Sequence, residues 1–325
     1  MLDKPRKISV ISPGKLMLLG EHAAVYGYPC LAAAIDTKFV VTVKLRKDIK
    51  IVIRSDLFKE IIIDGISEIN SSMLIKQSAY LASAIKTITP LLPVKSGFNL
   101  DIKSTFSANY GLGSSAAATA ASISALARLY QLHLTKGELF DMSFESIKSV
   151  DGLASGFDLA AVINGGIIYY KKGSLTEKLT ARPELVICYS GRKADTTAMI
   201  RQVSLKMKKD RKAVIKIFQK ISQLVINARQ SLMMNDLPEA GKLMNLNQDF
   251  LEDLGVSTPK LNKLIGSARK AGAYGAKISG AGGGDCLIAL VDKQNREAVK
   301  KALFSAGGEI IPAKITLEGV KETIL

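Results

Sequence analysis

The chain has 325 residues, 47% hydrophobic and 23% charged, with 45 Lys and Arg against 29 Asp and Glu for a formal net charge of +16. That length suggests about two domains, and the composition excludes wholesale disorder. The charge favours anionic partners without choosing among nucleic acid, acidic lipid and a phosphorylated metabolite.

The opening third reads as strands over Lys7–Ser12, Phe39–Leu45, Lys50–Arg54 and Glu60–Ile63, each short, rich in Ile and Val and bounded by polar turns. Between the first two lies Pro13-Gly14-Lys15 through Gly20-Glu21-His22, whose Leu16–Leu19 segment reads as buried, so that its charged neighbours line a cleft. Ser71–Thr87 has helical spacing and stops before Pro90. Phe98–Lys103 alternates as a half-buried strand does. A glycine loop, Gly111-Leu112-Gly113-Ser114-Ser115, opens an Ala-rich helix running to Tyr130, and a second helix is expected over Lys136–Ser149. Ala154-Ser155-Gly156-Phe157-Asp158 leads into a short third helix, and Gly166–Tyr170 reads as a returning strand. Lys171–Pro183 is polar and turn-rich and marks the domain boundary. Beyond it come a strand at Glu184–Tyr189 and helices over Thr197–Lys208, Arg211–Met234, Leu237–Leu254 and Thr258–Ala271. The close reads as strand Tyr274–Ile278, glycine loop Ser279–Gly284, strand Cys286–Val291, helix Arg296–Ser305 and strand Glu309–Ile315. Helices followed by a mixed sheet indicate an α+β layer.

Cys30, Cys188 and Cys286 are odd in number and far apart, which speaks against a disulfide framework or a zinc cluster and for a reducing cytoplasm. No secretory leader is read in the first residues, and the longest uncharged stretch, Ser104–Ala127, is too polar to span a bilayer. With His22 and His133 alone, chemistry needing several imidazoles is excluded.

Two glycine-rich segments have the composition of loops whose backbone approaches a ligand, the first of them an anion. In Gly111–Ala116 the glycines let backbone approach a ligand, and the helix start offers unpaired N–H groups and partial positive charge. The competing readings are a plain glycine turn capped by Ser114 and a dinucleotide fingerprint; the next acidic residue, Glu138, lies inside a helix, which weakens the latter. In Lys277-Ile278-Ser279-Gly280-Ala281-Gly282-Gly283-Gly284 the glycines exceed what a hairpin needs. Asp158 is either a capping residue or a group that accepts or orients a hydroxyl proton near Lys15. Arg201–Lys220 carries eight basic residues against one acidic, either a solvated face or a nucleic-acid surface with Phe218 as its aromatic. Walker-A spacing and protein-kinase signatures are absent.

The three glycine- and serine-rich segments, in this order, resemble the GHMP family of small-molecule kinases over nearly the whole chain. The resemblance implies a two-domain α+β fold, with a ribosomal-protein-S5-like α/β domain over residues 1–175, a ferredoxin-like α+β domain over 176–325 and the active site in the cleft between them. It implies transfer of the γ-phosphoryl group of ATP, with Mg2+, to a substrate hydroxyl. The first segment, with Ala24-Val25-Tyr26-Gly27, is similar to members acting on the C5 hydroxyl of mevalonate; phosphomevalonate or a sugar is the alternative, for which Arg192, Lys193 or Arg201 would supply a basic clamp. By resemblance, Asp158 and Lys15 are catalytic, and Gly111, Leu112, Gly113, Ser114, Ser115 and Ala116 hold the ATP phosphates. Glu21, His22, Ser155, Gly280, Ala281 and Gly282 would bind substrate, and Ser115 would ligate Mg2+. The family's second metal ligand, eleven residues before its aspartate, corresponds to Ile147; either Glu145 replaces it or the metal has fewer protein ligands. Ser107 and Asn109 stand where the family's phosphate loop begins with Pro and Gly. No nucleic-acid or membrane partner is implied, and a homodimer is compatible with the resemblance.

Overall fold

The computed structural model describes residues 7–56, 58–65, 68–69, 76–92, 96–152 and 154–324. In chain order the first half gives β1 (Lys7–Leu19), β2 (Cys30–Leu45), β3 (Ile51–Ser55), β4 (Phe58–Ile63), α1 (Lys76–Ile88), β5 (Phe98–Ser104), α2 (Ser114–Leu129), α3 (Lys136–Asp151), α4 (Phe157–Asn164), β6 (Ile167–Tyr170) and β7 (Glu177–Leu179). The second half gives β8 (Glu184–Tyr189), α5 (Thr196–Lys209), α6 (Arg211–Met233), α7 (Leu237–Asp253), α8 (Pro259–Lys270), β9 (Gly275–Ile278), β10 (Cys286–Val291), α9 (Arg296–Ser305), β11 (Glu309–Ile311) and β12 (Lys321–Ile324). Residues 71–75 of the helix expected over Ser71–Thr87 lie outside the described residues.

The elements form two sheets, giving the α+β architecture expected. The first runs β12-β1-β2-β5-β3-β4, with β6 and β7 added along the other end of β2; every pairing is antiparallel except β3 with β5. The second is an antiparallel sheet in the order β11-β8-β10-β9. Strands β7 and β12 both follow residue 175 yet extend the first sheet, so the chain ends by returning to the sheet it began.

Two strands run far beyond their expected ends. β1 continues through Pro13 to Leu19 with register shifts at Pro13/Gly14 and Met17/Leu19, and β2 begins at Cys30 rather than Phe39. In Cys30-Leu31-Ala32-Ala33-Ala34-Ile35 every residue is buried, so no polar face marks the period of a strand.

The continuation of β1 decides where the site forms. Met17 packs with Cys30 and Ala32 of β2 against Phe157, Ala160 and Ala161 of α4, while Leu16 and Leu18 turn into the main core. Strand alternation puts Lys15 on the Met17 side, toward α4. Helix α2 is buried along nearly its whole length, as its Ala-rich, charge-poor sequence requires, and packs on β1 and β2. Its N-terminus therefore opens beside the same stretch of β1.

Candidate active site

Lys15 Nζ lies 2.7 Å from Asp158 Oδ1, with the lysine side chain 9% exposed and the aspartate 33% exposed. The ammonium also sits 5.2 Å from the centroid of the Phe157 ring. Asp158 lies in the first turn of α4, where the helix dipole favours a carboxylate. Gly156 starts that helix at φ 88°, and a side chain there would meet the Tyr170 hydroxyl, which donates to the Ser155 carbonyl at 3.0 Å. Ser155 is thus held at the mouth of α4 through its backbone.

The loop before α2 docks on the other side of Lys15. The backbone N–H of Lys15 donates to the Leu112 carbonyl at 2.8 Å. Gly113 has φ 81°, and a Cβ there would stand 2.6 Å from Lys15 Cγ, so only glycine admits the lysine stem. Ala117 N–H makes a helical bond to the Gly113 carbonyl, and no side chain caps the helix. The amides of Ser114, Ser115 and Ala116 consequently face outward as donors beside an ammonium group, an arrangement suited to a phosphate chain. Upstream, Ser107 adopts φ −70°, a value native to proline, and its hydroxyl accepts from Asn109 N–H at 3.1 Å. Asn109 Oδ1 in turn accepts from Lys193 at 3.3 Å. The loop thus has its own means of fixing the turn.

Residues of α7, β9 and the second glycine loop reach the end of β1 and the turn after it. Ser279 Oγ accepts from Met17 N–H at 3.0 Å and donates to the Met17 carbonyl at 3.1 Å, pinning the second glycine loop to β1. Gly20 N–H donates to Asn247 Oδ1 at 3.2 Å. Glu21 forms an ion pair with Lys277, both fully buried, and Lys277 Nζ also donates to the Ile278 carbonyl at 2.5 Å. Burial pushes the Glu21 carboxyl up and the Lys277 ammonium down, and their mutual attraction opposes both shifts. Glu21 Oε2 and Asn247 Nδ2 are buried without partners. His22, at φ 61°, bonds through Nε2 to the Ala281 carbonyl at 2.8 Å. Burial holds its imidazole below the usual value, so the neutral ring donates from Nε2–H and keeps Nδ1 as an acceptor. Asp285 closes the second loop at φ 55°, with Oδ1 accepting from Ala194 N–H at 2.8 Å and Oδ2 against Gly111.

The structure therefore brings together Lys15, Asp158, Ser155, the 111–116 loop, Glu21, His22 and Gly280–Gly282. It does not bring in Glu145: that side chain is 64% exposed on α3 and pairs with Lys148 at 3.5 Å, one turn along the same helix. Ile147, two residues on, is buried in the main core. Among the described residues no three His, Cys, Asp or Glu side chains form a metal cage. Sequence reasoning gave no role to Lys277, Asn247 or Asp285; their partners are 91 to 256 positions away, and only Lys277 and Asp285 stood beside a recognisable glycine run. The basic run of α5 and α6 is exposed, and its one aromatic, Phe218, is buried against Tyr26 and Tyr28 with no face left for stacking a base.

Comparison with known proteins agrees with this geometry. Residues 77–166 match the GHMP kinases N-terminal domain, 225–309 match the GHMP kinases C-terminal family, and 3–45 match the galactokinase galactose-binding signature. Mevalonate kinase of Pyrococcus furiosus is 33% identical, with 97% of this chain and 98% of that protein covered. The crystal structure of Methanococcus jannaschii mevalonate kinase superposes with a TM-score of 0.82 at 27% identity, covering 94% of this chain and 98% of that one. The crystal structure of L. major mevalonate kinase in complex with R-mevalonate gives a TM-score of 0.78 at 25% identity, covering 95% of this chain and 96% of that one.

Proposed function

The chain belongs to the GHMP kinase family, and on that footing we propose that it transfers the γ-phosphoryl group of ATP to the C5 hydroxyl of mevalonate, giving 5-phosphomevalonate and ADP. The observation that carries the mechanism is the Lys15–Asp158 contact, 2.7 Å long and one residue's reach from the loop before α2. The substrate rests on the mevalonate kinases that match the chain nearly end to end.

The amides of Ser114–Ala116 and the α2 dipole hold the phosphate chain, with Gly111 and Gly113 giving backbone the room to approach. The partly exposed Asp158 carboxylate orients the attacking hydroxyl and takes its proton. Lys15, paired with Asp158, stabilises the negative charge that develops as oxygen attacks phosphorus and lowers the hydroxyl's pKa. Phosphoryl transfer asks mainly for such positioning and charge stabilisation. Glu21, His22, Ser155 and Gly280–Gly282 shape the acceptor end, His22 offering Nδ1 as an acceptor and the buried Glu21–Lys277 pair holding the turn that carries it.

The donor set also fits magnesium, which usually takes one or two protein oxygens and completes its shell with phosphates and water. Ser115 Oγ, at the start of α2, is an oxygen of that kind. When bound, the ion would neutralise phosphate charge; Ser115 would hold it, while Glu145 is turned to Lys148 on α3. Cys30, Cys188 and Cys286 are buried and free, which suits a cytoplasmic enzyme. The division into lobes at residues 1–175 and 176–325 belongs to the same proposal.

A coupled ADP-release assay with mevalonate, phosphomevalonate and simple sugars tests the reading. Turnover is expected with mevalonate at a kcat/KM well above the others; absence of mevalonate-dependent ADP release overturns the assignment.

A further inference from the structure

The three residues that lead into the loop before α2 each touch a different residue from the second half of the chain. Asn109 Oδ1 accepts from Lys193 Nζ at 3.3 Å. The Tyr110 hydroxyl donates to Glu309 Oε1 at 2.7 Å, and its ring meets that of Tyr189 with centroids 5.0 Å apart at 58°. Gly111 lies so close to the Asp285 carboxylate that a Cβ there would collide with it. Asp285 is itself fixed on three sides: its N–H donates to the Arg192 carbonyl at 2.8 Å, its carbonyl accepts from Ser190 N–H at 2.9 Å, and Oδ1 accepts from Ala194 N–H at 2.8 Å.

These partners share one end of the second sheet. Tyr189 on β8 stands opposite Cys286 on β10 and Glu309 on β11, and Asp285 immediately precedes Cys286. Paired strands hold such a row more exactly than a loop can hold itself. The loop needs that support, because Gly111 and Gly113 sit at φ 71° and 81° and glycine resists few other conformations. Ser107 and Asn109 also stand where the family resemblance leads one to expect Pro and Gly, so no proline ring stiffens the turn. On its far side the loop is held by the Leu112 carbonyl, which accepts from Lys15 N–H. The bond to Glu309 pushes the Tyr110 phenol up to about 12, so it remains a donor at working pH.

We infer that Tyr110 and Asp285 are positioning residues for ATP: with Glu309 and Lys193 they strap the residues before α2 to the end of the second sheet, and so keep the amides of Ser114–Ala116 set for a phosphate chain. This deepens the kinase reading and rests on it. A loop ordered in advance spares the nucleotide the entropy of ordering it, so loosening the strap weakens nucleotide binding.

The test pairs calorimetric titration of a non-hydrolysable ATP analogue with hydrogen exchange of the ligand-free, full-length enzyme. Exchange is read at the Lys15 and Ala117 amides, whose acceptors are the Leu112 and Gly113 carbonyls. Tyr110→Ala and Asp285→Gly, the latter suited to φ 55°, should each bind the analogue about tenfold more weakly and exchange faster at both amides. Tyr110→Phe keeps the ring on Tyr189 and loses the bond to Glu309, so a smaller loss of about threefold is expected. Asp285→Asn keeps an acceptor for Ala194 N–H and should stay near wild type. In the Tyr110 variants the KM for ATP should rise while the KM for mevalonate and the melting temperature hardly move, a split that a general loss of structure would not give.

Wild-type affinity and exchange in both Tyr110→Ala and Asp285→Gly overturn the strap and leave the kinase reading intact. Faster exchange at unchanged affinity overturns the positioning role as well, since the strap would then serve folding alone. Asp285→Asn as weak as Asp285→Gly overturns the part given to Asp285, because charge and not the bond to Ala194 would matter. Wild-type protein that binds the analogue without turning over mevalonate overturns the substrate assignment, and the variant comparison still decides the strap. Wild-type protein that binds no analogue overturns both.

Discussion

His22 shows how much of the site is set by burial of single groups. It is 6% exposed, holds φ 61°, and keeps its imidazole below the ordinary value of 6.5 because the surroundings disfavour its charged form. Between that lowered value and 6.5 the unfolded chain binds more protons than the folded one, so this residue's contribution to stability is present above pH 6.5 and is lost as pH falls through that window. Denaturant midpoints from pH 7 to pH 5 should therefore fall more steeply in the wild type than in His22→Asn, which does not titrate in that range. Parallel curves for the two proteins would show that His22 is not a buried neutral base. Lys15, Asp158 and the glycines of both loops were legible as residues because each sits in a local pattern with chemical meaning. Lys277 was not: a lysine before a glycine run looks ordinary until folding supplies Glu21.

Among the elements, the loop before α2 has the tightest requirement. Gly113 needs a left-handed backbone and has Lys15 Cγ where a Cβ would go. Gly113→Ala should raise the KM for ATP and depress kcat together, because the collision moves Lys15 as well as the amides; backbone strain alone costs on the order of 1–3 kcal/mol. Isothermal titration of an ATP analogue beside steady-state kinetics checks this, and a variant with normal kcat and affinity would mean that the loop does not cradle phosphate. The helices were mostly readable because caps and amphipathic spacing are local signals, as in the Thr135–Glu138 capping box that starts α3. The first half of β2 was unreadable for the opposite reason, burial of both faces. β12 escaped notice as a Lys-Glu-Thr-Ile edge strand whose pairing with β1 is a long-range event.

For the whole molecule, β1 and the turn after it meet the second half of the chain through polar groups that only long-range contacts can pair. Ser279 with Met17, Asn247 with Gly20, Glu21 with Lys277 and His22 with Ala281 all join β1 or the turn after it to α7, β9 and the loop after β9. Removing one member of the fully buried ion pair leaves the other uncompensated, at a cost of about 3–5 kcal/mol. These bonds make β1 and the turn after it depend on a loop some 260 residues later.

The most direct measurement compares wild type with Asp158→Asn for mevalonate-dependent ADP release, with affinity for an ATP analogue measured on the same preparations. The expected result is turnover by the wild type and a fall in kcat of about 100-fold or more in the variant at nearly unchanged nucleotide affinity, as loss of a positioned proton acceptor entails. Near-normal kcat in Asp158→Asn would contradict the placement of the reaction at the Lys15–Asp158 pair.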